Sequence, residues 1–162
     1  MKIGVISDTH IPLNAQEIPA ALLESLKSVD MIMHAGDLIK LSVIDTLRSI
    51  CATVKAVYGN MDSVDVKKCL PEKEIISIGK YRLGLTHGKG SPNALFDTVT
   101  DIFKNDSVDM IIFGHSHYPI NEKRGKIIYF NPGSPTDNIF APFRSYGIIE
   151  IDNKIKTSIV KI

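Results

Sequence analysis

Five short apolar runs of this sequence are each followed by polar side chains that commonly bind metal ions. The seven candidates are Asp8 and His10 after residues 2–7, Asp37 after 31–36, Asn60 after 54–59, His87 after 81–86, and His115 and His117 after 110–114. In α/β sheets, ligands bind in the crevice at the carboxyl ends of the strands. If the apolar runs are strands of such a fold, we expect the seven side chains to share one crevice.

The spacing within the two histidine-containing pairs supports this interpretation. Asp8 and His10 are two residues apart, and so are His115 and His117. In extended backbone, residues two apart project to the same side. Each pair is therefore predicted to reach the same cluster.

The candidate ligands are too many for one tetrahedral ion, because they comprise two carboxylates, one amide oxygen and four imidazoles. They suit two divalent ions that share a bridging carboxylate. Two such ions against Asp8 and Asp37 leave a charge of about +2, which attracts phosphate and stabilises the charge of an in-line displacement. Mixed nitrogen and oxygen ligands without thiolate favour Mn, Fe, Zn or Ni.

A single histidine or aspartate at a strand end is more often a core, surface or helix-capping residue than a ligand. This chain has five histidines, however, and four of them lie at these strand ends. We therefore favour the joint metal interpretation. The fifth, His34, lies three residues before Asp37; it is either a residue that orients a ligand or simply a buried strand residue.

The elements that must position these ligands alternate regularly in the first half of the chain. We predict strands at 2–7, 30–34 and 53–57 and helices at 16–27 and 40–50, from β-branched apolar runs and helical periodicity respectively. This βαβαβ order predicts a parallel sheet covered by helices.

The second half of the chain favours hairpins. Predicted strands at 74–78 and 81–86 flank one turn, and strands at 146–151 and 154–160 flank another. The remaining predicted elements are a helix at 93–104 and strands at 109–113 and 126–130. Two packed sheets with helices outside them are expected.

Composition is that of an ordinary globular chain, with 162 residues, 44% hydrophobic residues, 23% charged residues and a net charge of +1. We expect one domain spanning 1–162. No basic surplus indicates nucleic-acid binding, and no apolar run approaches the ~20 residues of a membrane span. The N-terminal apolar run is too short for a secretory signal, so we expect a cytoplasmic protein in which Cys51 and Cys69 are buried thiols.

Five segments together resemble the calcineurin-like metallophosphoesterase superfamily. They are Asp8-Thr9-His10, Gly36-Asp37, Gly59-Asn60, His87-Gly88 and Gly114-His115-Ser116-His117. Two further segments resemble the small prokaryotic phosphodiesterase branch of this superfamily: Asn131-Pro132-Gly133-Ser134 and Arg144-Ser145-Tyr146. The resemblance implies an α/β fold, a four-layer αββα sandwich of two mixed β-sheets flanked by helices.

The resemblance also implies how the ligands divide. Asp8, His10, Asp37 and His117 would bind the first ion, Asp37 would bridge, and Asn60, His87 and His115 would bind the second. Among them, Asp37, Asn60 and His87 are the expected catalytic residues. The implied activity is phosphodiesterase: a metal-bound hydroxide attacks the phosphorus of a small phosphate ester, with Mn the preferred ion and Ni, Zn or Fe as alternatives.

Two positions depart from the family pattern. Many relatives have a histidine after the Gly-Asn that is thought to protonate the leaving oxygen, and here that residue is Met61, which cannot donate a proton. Many also read His-Gly-His where this chain has Lys89. Lys89 either contacts a phosphoryl oxygen or is a solvated loop residue.

Other residues near these motifs admit two interpretations each. Asp62 either supports a ligand or caps a helix, and Asn131 either forms a turn or holds a ligand histidine. The sequence assigns no role to Arg144.

The same fold resembles the phosphoesterase-like subunit of retromer, a scaffold that binds partner proteins. Its metal positions are partly substituted, whereas all seven are intact here, which favours the enzyme over the scaffold. The apolar segment 139–143 is a candidate scaffold surface, a lid over the crevice or a homo-oligomer contact. A nucleotide-binding regulator is disfavoured because no Gly-rich phosphate loop is present.

Overall fold

The computed structural model describes the whole chain, residues 1–162, as two five-stranded sheets with helices on both outer faces. With strands numbered in chain order, the first sheet contains β1 (Lys2–Ile6), β2 (Met31–His34), β3 (Val54–Ala56), β9 (Ser145–Ile151) and β10 (Ile155–Lys161). The second contains β4 (Lys73–Ile78), β5 (Tyr81–Thr86), β6 (Met110–Ile112), β7 (Ile120–Arg124) and β8 (Ile127–Asn131).

Both sheets are mixed, with parallel strands at their centres. The first sheet has the order β10-β9-β1-β2-β3, in which β1, β2 and β3 run parallel. The second has the order β4-β5-β6-β8-β7, in which β5, β6 and β8 run parallel. Antiparallel hairpins supply the remaining strands. The predicted α/β sandwich of two mixed sheets is confirmed.

The central core lies between the two sheets, because alternate side chains of each strand face the other sheet. In β1, Ile3 and Val5 join the cluster that includes Leu83 and Leu85 of the second sheet, whereas Ile6 packs on the helical side. Side chains of a strand point alternately to opposite faces. Full burial of each large apolar side chain stabilises the fold by ~1.5–3 kcal/mol.

Helices complete the two outer layers. α1 (Ala20–Leu26), α2 (Ser42–Arg48) and α3 (Val64–Cys69) contribute to the apolar cluster on the outer face of the first sheet. α4 (Leu95–Ile102), which follows a 3₁₀ turn at Pro92–Ala94, covers the second sheet. None of the helices combines the length and apolar character needed to cross a membrane.

Several predicted elements differ from the structure. The helix predicted at 16–27 begins only at Ala20, because Pro19 disfavours helical backbone in the residue before it. The charged edge strand β7 was not predicted. The short helix α3 was anticipated only as one interpretation of Asp62, without bounds. Both cysteines are free thiols, but Cys69 is exposed, so the prediction that both are buried was wrong for this residue.

Candidate metal centre

All seven predicted ligands lie on loops that follow strands and meet at one end of the two sheets. The two histidine-containing pairs were predicted to have extended backbone, and this prediction was wrong. Positive φ angles occur at Asp8 (54°), His10 (42°), Asp37 (56°), His115 (71°) and His117 (57°). Such conformations cost about 1–3 kcal/mol each and persist only where the surroundings enforce them. Left-handed turns, rather than strand geometry, therefore bring these side chains together.

The first set of ligands, called here the Asp8 group, consists of Asp8, His10 and His117. Asp8 Oδ1 lies 3.3 Å from His117 Nε2 and 3.9 Å from His10 Nε2. The two imidazole Nε2 atoms are 3.2 Å apart. One ligand atom from each residue therefore lies close enough to the others to hold a single metal ion.

The second set, called here the Asn60 group, consists of Asn60, His87 and His115. Asn60 Oδ1 lies 3.1 Å from His87 Nε2 and 2.9 Å from His115 Nδ1. A carboxylate completes this side, because Asp8, Asp37 and His87 also form a group that could hold a metal ion.

Asp37 lies between the two groups. Its Oδ2 atom is 3.6 Å from His10 Nε2 and 3.3 Å from His87 Nε2. Its Oδ1 atom accepts a hydrogen bond of 2.8 Å from the backbone N–H of Met61, which fixes the carboxylate plane. This is the position that a bridging carboxylate requires, although Asp8 Oδ1 also lies 3.9 Å from His87 Nε2.

The partners of the imidazoles decide which nitrogen of each ring faces the centre. His87 Nδ1 lies 2.7 Å from the carbonyl oxygen of Ala35, and His115 Nε2 lies 2.7 Å from that of Gly90. A carbonyl oxygen only accepts, so these nitrogens must donate. In the neutral rings, His87 Nε2 and His115 Nδ1 then direct lone pairs at the carboxylate and amide oxygens.

Such a concentration of electron-pair donors attracts positive charge, and the pKa values reflect it. Burial raises the pKa of Asp8, but His117 and His87 outweigh this effect and hold the pKa at about 2. Burial lowers the pKa of His87, yet Asp37 and Asp8 raise it to about 9. Divalent cations satisfy the same oxygens and nitrogens, so the donor set fits metal ions.

Comparison with known proteins identifies the family of the chain. Residues 1–154 match the family model described as the calcineurin-like phosphoesterase superfamily domain. The chain belongs to this superfamily. The resemblance seen in its motifs is thereby confirmed.

Individual relatives match most of the length of the chain. A probable metallophosphoesterase of Methanocaldococcus jannaschii is 36% identical over 100% of the chain and 82% of the relative. A phosphodiesterase of the same organism is 30% identical over 82% of the chain and 83% of the relative. The structure of wild-type Vps29 from Entamoeba histolytica complexed with Zn²⁺ is 28% identical, with a TM-score of 0.77 and 99% of each chain covered.

Asp137 supports the Asp8 group and was missed by the sequence-based prediction. Its buried carboxylate accepts a hydrogen bond from His117 Nδ1. His117 therefore donates from Nδ1 and presents Nε2 to Asp8. Burial lowers the pKa of His117, but Asp8 and Asp137 raise it to about 9. Asp137 follows Ser-Pro-Thr, a composition that indicates a turn, so only the fold reveals its role.

Asp62 supports the loops that carry Asp37 and Asn60. Its carboxylate accepts backbone N–H groups of Asp37 at 3.0 Å, Ile39 at 2.6 Å and Gly59 at 2.7 Å. The cap of α3 is instead Ser63. The sequence left two interpretations of Asp62 open, and the structure agrees with the one in which Asp62 supports the loops that carry candidate ligands.

Close approach of these loops requires glycine at Gly36, whose φ is 94°. A Cβ atom there would lie 2.7 Å from His87 Nδ1 and 2.9 Å from the backbone nitrogen of Gly59. Any side chain at this position would displace His87 from its carbonyl partner.

The Asn131-Pro132-Gly133-Ser134 segment supports the loops that follow β1 and β6. Asn131 Nδ2 donates to the carbonyl oxygen of Gly114 at 2.7 Å and to Ser116 Oγ at 3.1 Å. Ser134 Oγ donates to the backbone carbonyl oxygen of Asp8 at 2.8 Å. Asn131 thus fixes the loop that carries His115 rather than bonding the ring itself.

His34 and Lys89 differ sharply in environment. His34 is buried, accepts the N–H of Gly36 at Nδ1 and lies 3.1 Å from Thr9 Oγ1 through Nε2. Burial lowers its pKa to about 4, so this ring supports two ligand loops as a neutral group. Lys89 is exposed, and its Nζ lies 3.9 Å from the carboxylate of Glu72.

One cavity opens directly onto the site. Five of the nine residues that line it are predicted ligands, and the others are Met61, Pro92, Ser116 and Phe140. No lysine or arginine lines this cavity. Met61, which stands where many relatives have histidine, is 54% exposed at its mouth.

Proposed function

We propose that this chain is a dinuclear-metal-dependent phosphodiesterase that hydrolyses small phosphate esters. The observation that carries the proposal is the convergence of both ligand groups on Asp37, with imidazoles oriented by Ala35, Gly90 and Asp137 so that their free nitrogens face inward. Membership of the phosphoesterase superfamily and similarity to a phosphodiesterase support it.

The proposed assignment divides the ligands between two ions. The first would be held by Asp8, His10, Asp37 and His117, and the second by Asp37, Asn60, His87 and His115. Mixed nitrogen and oxygen donors suit Mn²⁺, with Ni²⁺, Zn²⁺ and Fe²⁺ as alternatives. When bound, such ions lower the pKa of water and stabilise negative charge at phosphorus.

The chain's own catalytic residues act by holding this arrangement in place. Asp37 spans the two groups and is fixed by the Met61 N–H. His87 is held in one tautomer by Ala35, and the Asn60 amide contributes a neutral oxygen, so the Asn60 group keeps a higher positive charge once loaded. Preorganised charge of this kind stabilises a transition state without reorganisation.

A diester is the preferred substrate because the cavity offers no fixed cation beyond the ions. Two lysines that adjoin the ligand loops lie outside this cavity: Lys67 Nζ donates to the backbone carbonyl oxygen of Asn60 at 2.9 Å, and Lys89 Nζ lies 3.9 Å from the carboxylate of Glu72. A phosphodiester carries one negative charge at neutral pH, whereas a monoester carries nearly two. The smaller charge needs less compensation from the protein.

The test is reconstitution of metal-free protein with Mn²⁺, Ni²⁺, Zn²⁺, Fe²⁺ or Mg²⁺ and assay against chromogenic mono- and diesters. Chelation should abolish diester hydrolysis, and a transition-metal ion, Mn²⁺ first, should restore it. Activity in a preparation shown by elemental analysis to lack metal would overturn the proposal.

A non-catalytic scaffold is the second candidate function. It is favoured by the exposed apolar side chains of Ile139 and Phe140, which are 83% and 76% exposed. A scaffold would bind the ions yet hydrolyse none of the esters, so the same panel separates the two functions.

A further inference from the structure

Phe140 has an unusual place for an exposed aromatic residue, because it lines the cavity over the metal centre. Its ring centroid lies 6.4 Å from that of His117, with the rings inclined by 75°. Scattered apolar side chains on a surface need no explanation. An exposed aromatic ring beside a ligand imidazole, in the cavity that substrate must enter, does need one.

The position of Phe140 is tied to the metal centre through Asp137. One carboxylate oxygen of Asp137 bonds His117, and the other accepts the backbone N–H groups of Ile139 at 2.7 Å and Phe140 at 3.1 Å. The carboxylate that orients a ligand thus also folds the turn that presents Phe140. The backbone of Phe140 is therefore fixed relative to the site.

A second apolar side chain of this cavity is tied to the centre in the same manner. The backbone N–H of Met61 donates to Asp37 Oδ1 at 2.8 Å, and its side chain lines the cavity with Phe140 and Pro92. Methionine sulfur and aromatic rings both interact favourably with aromatic groups. Charged side chains other than the ligands are absent from this lining.

We propose that Phe140, assisted by Met61, recognises a planar aromatic substituent of the phosphodiester and is a specificity-determining residue. The ester's phosphorus would lie at the metal centre and its aromatic alcohol group against the Phe140 ring. This inference rests on the proposed function and names its substrate class as aryl or base-bearing diesters.

The experiment compares two ligands of equal charge, diphenyl phosphate and dimethyl phosphate. Their dissociation constants are measured by calorimetry on Mn²⁺-loaded protein for the wild type, Phe140→Ala, Phe140→Tyr and Ile139→Ala. Phe140→Ala should weaken diphenyl phosphate by about fivefold and leave dimethyl phosphate unchanged, since aromatic pairs contribute modestly beyond area. Phe140→Tyr should retain the preference. Ile139→Ala is the matched control, because Ile139 is exposed but does not line the cavity.

Mn²⁺ affinity is measured in parallel and should be unchanged in Phe140→Ala, which shows that His117 is still held by Asp137. Equal weakening of both ligands, no weakening of either, or no binding of either phosphate to the wild type would overturn the inference. The inference would also be overturned if light scattering showed that Phe140→Ala changes the oligomeric state while the preference for diphenyl phosphate is retained. That outcome would assign Phe140 to a contact between copies of the chain. Absence of turnover with the binding preference intact would instead contradict the proposed function alone.

Discussion

The Asp8 group contains a ligand carboxylate, and its His117 is oriented by a second carboxylate, that of Asp137. Apart from Asp37, which lies between the two groups, the Asn60 group has only neutral candidate ligands, and its imidazoles are oriented by backbone carbonyls of Ala35 and Gly90. A carboxylate partner makes a ligand imidazole more basic than a carbonyl partner does. We therefore expect the ion of the Asp8 group to bind more tightly and that of the Asn60 group to exchange more readily.

Asp37 is proposed to serve both the Asp8 group and the Asn60 group, so its loss should have the largest effect on turnover. Asp37→Asn replaces a charged oxygen pair by one weaker donor oxygen, and kcat on aryl diesters at saturating Mn²⁺ should fall ~10³-fold. Lys89→Ala, at an exposed position, should stay close to wild type. Near-wild-type turnover by Asp37→Asn that still binds two ions would show that Asp37 does not bridge.

Met61 tests whether the Asn60 side lacks a proton donor. Positioned general acids contribute ~10²–10⁴-fold, so wild-type rates should fall steeply as the pKa of the leaving group rises. Met61→His should accelerate alkyl diesters by up to ~10²-fold and flatten this dependence. The measurement is a series of aryl and alkyl diesters at fixed metal occupancy. A wild-type slope near zero, with chemistry rate-limiting, would reveal another acid.

Asp137→Asn tests the Asp8 group alone, which is expected to bind its ion more tightly. The amide oxygen can still accept the N–H groups of Ile139 and Phe140, but the negatively charged oxygen that accepts the His117 Nδ1 proton is lost. Affinity for one Mn²⁺ should drop ~10–100-fold, with the second ion little changed. Calorimetric titration resolves the two sites. Equal weakening of Mn²⁺ binding at both sites would contradict the proposed difference between the Asp8 group and the Asn60 group.

Asp62→Ala should act mainly on stability and on the Asn60 side. It leaves the N–H groups of Asp37, Ile39 and Gly59 without their carboxylate partner, so the free energy of unfolding in urea should fall by roughly 3 kcal/mol. Asp65→Ala, exposed on α3, should change it by less than about 0.5 kcal/mol. A loss of turnover larger than that of Asp37→Asn would contradict the bridging assignment.

Much of the fold could be predicted because apolar runs and helical periodicity are local signals. Strands β1 to β3 and the hairpins β4–β5 and β9–β10 were predicted within a few residues. The edge strand β7, with sequence INEKR, was missed since it has almost no apolar pattern. The bounds of helix α3 were not predicted because its six residues are too few to show periodicity.

The identity of the candidate ligands follows from the sequence alone, because each ligand type stands directly after a strand signal. The geometry that joins them could not be predicted in the same way. Asp8 and His10 were expected in extended backbone and instead adopt left-handed turns. Tertiary hydrogen bonds, such as that from Ser134 to the Asp8 carbonyl oxygen 126 residues away, hold such turns in place.

The orientation of the imidazoles was decided only by the tertiary structure. His87 takes its tautomer from Ala35, 52 residues earlier, and His117 takes its from Asp137, 20 residues later. A histidine's two nitrogens are equivalent in the sequence, and they differ only once a fixed acceptor binds one of them. The sequence therefore determined which side chains are candidate ligands, and the packing of distant loops determined which atoms of those side chains face the centre of the site.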